Sequence, residues 1–145
     1  MKKHLTGLVC LILVTAACQP IKLDPVNIGK IWKATTVKEN GTLVYSEGST
    51  GNTRPSYALF RLDLTGEDQV IFTDLDGRRL VGTWSLSTDN NRLILENLSP
   101  PPSLTSGNIE FYLTVPPSDT QLELKRTAES RKTGNSVNEY ILVPE

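Results

Sequence analysis

Imidazole and thiol are almost absent from this chain. Its single histidine is His4 and its two cysteines are Cys10 and Cys18, so residues 19–145 carry neither group. Ser/His/Asp and Cys/His catalysis in their usual forms are thereby excluded from that stretch, as are the common zinc and copper sites, which draw on imidazole and thiolate. No disulfide can form within it, and stability has to come from an apolar core. A basic excess is missing as well. Fifteen Lys and Arg stand against 16 Asp and Glu with no basic stripe to neutralise phosphates, which argues against a nucleic-acid partner. The apolar run from Leu5 to Val14 is too short to cross a bilayer as a helix.

That run sits between Lys2-Lys3 and the small residues Thr15, Ala16 and Ala17, with Cys18 immediately after them. The order resembles a bacterial lipoprotein signal. The resemblance implies that the Cys18 thiol is acylated and that the chain is cut just before it; the alternative is an ordinary secretory signal cut after Ala17, leaving a free thiol. Residues 1–17 are then a signal peptide, 18–27 an anchor and tether, and 28–145 one domain of a size that supports a single core. Gln19 follows the cysteine with no acidic cluster after it, which implies an outer-membrane anchor with the domain in the periplasm. Loss of Lys2 and Lys3 leaves 13 basic against 16 acidic residues, so membrane contact is expected through the acyl chains.

Beyond the tether, short alternating runs are separated by turn residues, and no segment is periodic enough for a helix. An all-β fold is expected, with strands at Gly29–Lys38, Ser56–Leu64, Gln69–Asp74, Leu80–Ser87, Arg92–Asn97, Asn108–Val115, Gln121–Thr127 and Asn138–Val143. Ala58, Phe60, Leu62 and Leu64 share one face of the second run, opposite Tyr57, Arg61 and Asp63; Leu80, Gly82, Trp84 and Leu86 share a face of the fourth. Thr42–Ser46 is brief and is read as part of the first loop. In an up-and-down meander every second connection emerges at the same end, so the long loops 39–55, 98–107 and 128–137 are expected together. The Asp76-Gly77 turn is expected opposite at least one of them.

Gly29-Lys30-Ile31-Trp32 followed by Asn40-Gly41, then Gly82-Thr83-Trp84-Ser85-Leu86, Leu93-Ile94-Leu95 and Leu122-Glu123-Leu124, resemble the small lipocalin-like domains of many bacterial lipoproteins, particularly from the Bacteroidota. The resemblance spans roughly Ile28 to Val143 and implies an antiparallel up-and-down barrel of about eight strands. In true lipocalins a Trp on the first strand plugs the closed end beneath a late-strand Arg, which implies barrel closure here by Trp32 and Arg126; the alternative is that Trp32 is simply a core aromatic and Arg126 a solvent-facing charge at a strand end. A barrel also implies a cavity, for which Phe60, Leu62, Phe72, Trp84, Phe111 and Leu113 are the expected ligand-lining residues beneath the long loops, although the same aromatics are bulky enough to fill so short a barrel.

Smaller constellations read more simply. Asp74-Leu75-Asp76-Gly77 contains a calcium-loop fragment without the later ligands and is better explained as a turn. The prolines in Ser99–Ser103 form a stiff spacer, and Ser130-Arg131-Lys132 a solvated basic loop. Asp63, Glu96, Glu110 and Glu123 fall on outward faces with no pair sharing a pocket, so acid–base catalysis has no evident site, and no cofactor or metal is implied. The leading expectation is a non-enzymatic, outer-membrane-anchored binding module for a small apolar or amphipathic ligand; the alternative is a structural or interaction lipoprotein with a filled barrel that meets another envelope protein.

Overall fold

The computed structural model of the protein describes residues 27–102 and 106–145. The expected signal peptide, Cys18 and the tether as far as residue 26 lie outside the described residues, as does Ser103. Among the described residues nine strands form one antiparallel sheet: β1 (Ile31–Glu39), β2 (Thr42–Ser46), β3 (Arg61–Asp63), β4 (Gln69–Thr73), β5 (Arg79–Leu86), β6 (Arg92–Ser99), β7 (Ile109–Leu113), β8 (Leu122–Arg126) and β9 (Asn138–Pro144). Pairing of β1 with β9 closes β1 and β3–β9 into an eight-stranded up-and-down barrel. Two short 3-10 helices, Pro55–Leu59 and Arg131–Thr133, complete the described elements. None of the described helices is long and apolar enough to cross a membrane.

The ninth strand is Thr42–Ser46, where the sequence pattern predicts part of the first loop. Asn40 and Gly41 both have positive φ, 49° and 79°, the combination that a two-residue hairpin turn matched to strand twist requires. The hairpin they close pairs β2 with the second half of β1, Thr36 opposite Ser46 and Glu39 opposite Thr42. β3 takes the first half of the same edge, with Ile31 opposite Asp63. β2 and β3 thus occupy one barrel position in succession, interrupted by an excursion of residues 47–60. The expected strand Ser56–Leu64 is therefore much shorter. Pro55 has no N–H to give to a ladder and a φ suited to the first turn of a helix, so the chain turns through Pro55–Leu59 before β3 begins.

Strand direction defines two ends. The end at which β1 finishes, the loop end, carries the Asn40-Gly41 turn, the helical part of the excursion, the β4–β5 turn, the β6–β7 connection and the β8–β9 connection; the other, tight end carries the remaining three connections and the incoming chain. The long loops share the loop end, as the parity of the meander requires. The Asp76-Gly77 turn lies there too, contrary to expectation, because β4 runs toward that end. Lys132 Nζ ties it to the β8–β9 connection at 2.7 Å from both Asp74 Oδ2 and Asp76 Oδ2.

Direction also separates Trp32 from Arg126. β1 and β8 run parallel to each other, on either side of β9; Trp32 stands near the start of β1 opposite Leu62 and Pro144, whereas Arg126 ends β8 opposite Phe111. The two are at opposite ends of the barrel, so the expected Trp–Arg closure is not formed. Trp32 instead seals the tight end by donating from Nε1 to the Ile28 carbonyl at 2.8 Å, with Lys30 Nζ 5.9 Å from its ring centroid. Gly82 sits at a register shift in β5 where a Cβ would collide with the Glu96 carbonyl, which explains glycine there.

Candidate functional site

The loop end concentrates the polar chemistry of the molecule, and its centre is Tyr57. Strand alternation placed this side chain outward, but the 3-10 helix at Pro55–Leu59 turns it into the barrel mouth, where it is fully buried. Its ring lies 6.3 Å from Tyr45 and 6.2 Å edge-on from Tyr140. Tyr140 stacks on Phe60 at 4.8 Å and meets the edge of Phe111 at 5.9 Å, and Phe60 packs against Phe72 at 5.3 Å. An unbroken set of rings therefore fills the interior beneath the mouth.

A hydrogen-bond network covers these rings. The Tyr57 hydroxyl donates to Glu39 Oε1 at 2.9 Å and accepts from Asn138 Nδ2 at 3.2 Å. Glu39 faces Arg54 Nε at 3.4 Å on its outer side. Asn138 Nδ2 also approaches Thr133 Oγ1 and the Tyr140 hydroxyl, while Ser136 Oγ donates to Asn138 Oδ1. The β8–β9 connection, read from sequence as a solvated loop, thus buries Ser130, Thr133 and Ser136. Satisfied networks of this kind rigidify a closure, since each group would be costly to leave unpaired.

Burial pushes the Tyr57 hydroxyl far above its usual titration range, reinforced by Tyr140 and Glu39, and pushes Tyr140 up to about 12. Both are neutral at physiological pH and act as hydrogen-bonding groups. Partial burial of Asp76 raises its pKa, but the hydrogen bond from Lys132 outweighs that and holds the carboxyl below its usual range. The Arg126 guanidinium points inward beside Tyr140, and its buried Nε has no hydrogen-bond partner among the described residues.

The six expected ligand-lining residues divide. Phe60, Leu62, Phe72 and Phe111 are fully buried against one another in the core. Trp84 and Leu113 are only partly buried and lie toward the tight end, away from the long loops. Trp84 Nε1 donates to the Gly66 carbonyl at 3.0 Å, and the Leu113 N–H to Asn91 at 2.8 Å. Three clefts of about 280, 340 and 360 Å³ open to solvent; the first is a groove beside β1, β8 and β9 containing Lys38, Lys125 and Glu139.

Contrary to expectation, two of the outward carboxylates, Glu96 and Glu110, line one cleft together, beside Arg126. Glu110 pairs with Arg92 at 2.6 Å, Asp63 caps the Thr65 N–H and hydroxyl, and no cluster of His, Cys, Asp and Glu among the described residues could hold a metal ion. Pro102, in the triple-proline run, is buried. Sequence reasoning missed Tyr57, Asn138 and Thr133. The available signal was Pro55, whose fixed φ suits the first position of a helical turn and so favours a turn through Leu59 over a strand from Ser56.

No family model matches the chain, and no curated protein does. A solved structure does match: the crystal structure of an uncharacterized protein from Bacteroides eggerthii DSM 20697 is 10% identical, spans 84% of this chain and 100% of its own, and superposes with a TM-score of 0.50. The likeness is one of fold, and it places this barrel beside a second one of the same architecture.

Proposed function

We propose that this chain is a non-enzymatic, lipid-anchored envelope module with a filled barrel, which meets another envelope protein through its loop end. The observation that carries this reading is the continuous aromatic packing from Tyr45 through Tyr57, Tyr140 and Phe60 to Phe72 and Phe111, which leaves the barrel axis occupied by its own side chains. Closure of the mouth by Tyr57 and Asn138 argues the same way, because a ligand module needs a path that these groups block. Loops gathered on one end of a rigid scaffold are a common arrangement for recognition. The lipoprotein-like order of Lys2, Lys3, Ala16, Ala17 and Cys18 supplies the anchor in this reading.

The test is a titration of the purified domain with fluorescent fatty acids and other apolar probes. The filled barrel predicts no saturable binding at micromolar probe. A saturable, one-to-one signal that is lost when Phe60 or Phe111 is substituted would return the chain to the ligand-binding class.

A further inference from the structure

We propose that the cleft at the loop-end margin of β6, β7 and β8 binds a small zwitterion, a molecule carrying a carboxylate and a primary ammonium joined by a short carbon chain. The proposal goes beyond the reading above and rests on neither the lipid anchor nor a protein partner.

The cleft forms where the β7–β8 ladder ends. Its register runs from Leu113 opposite Leu124 to Phe111 opposite Arg126, and the Thr127 N–H and hydroxyl finish it on the Glu110 carbonyl at 3.0 and 3.2 Å. Beyond that point Ile109 stays paired with Leu95 of β6, and no pairing to β8 is present among the described residues. The space at this margin measures about 340 Å³, opens to solvent, and has Glu96, Asn108, Glu110, Arg126 and Thr127 in its lining.

Alternation puts Arg126 on the inward side, opposite buried Phe111 and two residues after buried Leu124. A guanidinium so placed is costly unless its donors are met. Here Nε is buried without a partner, and the side chain makes no ion pair among the described residues. The Tyr140 hydroxyl beside it is neutral at physiological pH and leaves the charge uncompensated.

Two carboxylates share the cleft with this cation. Glu110 is neutralised by Arg92 Nη1 at 2.6 Å, whereas exposed Glu96 has no ion-pair partner among the described residues. Glu96 and Arg126 do not pair with each other, so one positive and one negative group line the same cleft beyond direct contact. A simple anion would gain the guanidinium but meet Glu96, and a simple amine would gain Glu96 but meet Arg126. A zwitterion satisfies both, and the gap between the two side chains calls for a carbon chain between its charges. The planar guanidinium fork suits a carboxylate, to which it can donate twice. Asn108 adds a donor: its Oδ1 accepts from the Asn97 N–H at 3.1 Å, which leaves the amide nitrogen for the ligand.

The isotope-labelled full-length protein is titrated with γ-aminobutyrate, ε-aminocaproate, acetate, butylamine and inorganic phosphate, and its amide shifts are followed by NMR. Saturable shifts at Asn108, Thr127 and Ala128 are expected with the aminocarboxylates, about tenfold tighter than with acetate or butylamine. Arg126→Met is expected to weaken the aminocarboxylates about tenfold, and Glu96→Gln to bring their affinity down toward that of acetate. Should Arg126→Met fail to fold, Glu96→Gln at its exposed position decides alone: an undiminished preference for the aminocarboxylates over acetate overturns the proposal. So does the absence of saturable shifts with either aminocarboxylate at about 10 mM, or phosphate binding as tightly as they do.

Discussion

Tyr57 shows how one side chain can close a barrel. Its ring supplies apolar bulk to the mouth, while its hydroxyl joins Glu39 from β1 to Asn138 from β9. Tyr57→Phe keeps the ring and deletes the bridge, taking the hydroxyl donor from Glu39 Oε1 while Asn138 Nδ2 keeps Thr133 Oγ1 and the Tyr140 hydroxyl as acceptors; a loss of about 1–2 kcal/mol is expected. Tyr57→Ala removes the ring as well and is expected to cost about 3–5 kcal/mol. Urea denaturation of the two variants separates the contributions, and a Phe variant as stable as wild type would show that the network adds nothing to closure. Alternation misplaced Tyr57 because it assumes an extended strand from Ser56 onward, whereas the chain takes a helical turn from Pro55 to Leu59 before β3 begins. Trp32 and Arg126 failed differently: each residue sits inward as its strand pattern implies, but the same parity that gathers the long loops makes their strands parallel, which puts the start of β1 and the end of β8 at opposite ends.

At the scale of elements, alternation was a reliable guide wherever strands were regular. Leu93 and Leu95, Leu122 and Leu124, and Phe60 and Leu62 are buried as their spacing implies. The bulge in β5 interrupts that guide. Leu80 is buried, but after Gly82 the strand leaves Trp84 and Leu86 only partly covered. Gly82→Ala forces a Cβ onto the Glu96 carbonyl and to 3.1 Å from Leu98, and is expected to cost about 1–3 kcal/mol with a lowered melting temperature. The Asp74–Lys132–Asp76 latch joins two loop-end connections by a link that periodicity cannot register, because its partners are distant in sequence. Since the folded-state pKa of Asp76 lies below its unfolded value, its stabilisation is present above about pH 3.9 and is lost as pH falls through the folded value. The difference in urea midpoint between wild type and Asp76→Asn should therefore be present at neutral pH and shrink under acid; a difference that persists below pH 2 would assign the effect to something other than the carboxylate.

For the molecule as a whole, the decisive question is whether the barrel axis is filled, and truncation energetics answer it more directly than shape. Phe60 touches Phe72 and Tyr140 and is fully buried, whereas Trp84 lies partly exposed near the tight end with its indole on Gly66. A filled interior makes the smaller residue the more costly one to remove. Phe60→Ala is expected to lose about 3–5 kcal/mol through transfer and cavity terms together, a large part of the 5–15 kcal/mol typical of a domain this size. Trp84→Ala, which empties no enclosed space, is expected to lose less despite deleting more atoms. The order would reverse in a barrel built around a ligand cavity, where a wall phenylalanine faces open space and has fewer partners to forfeit. Equilibrium denaturation of both variants, read by circular dichroism so that loss of Trp84 does not distort the signal, gives that order directly. A Phe60→Ala loss smaller than that of Trp84→Ala would mean that the aromatic column does not pack as a core, and the interaction reading would lose its main physical support.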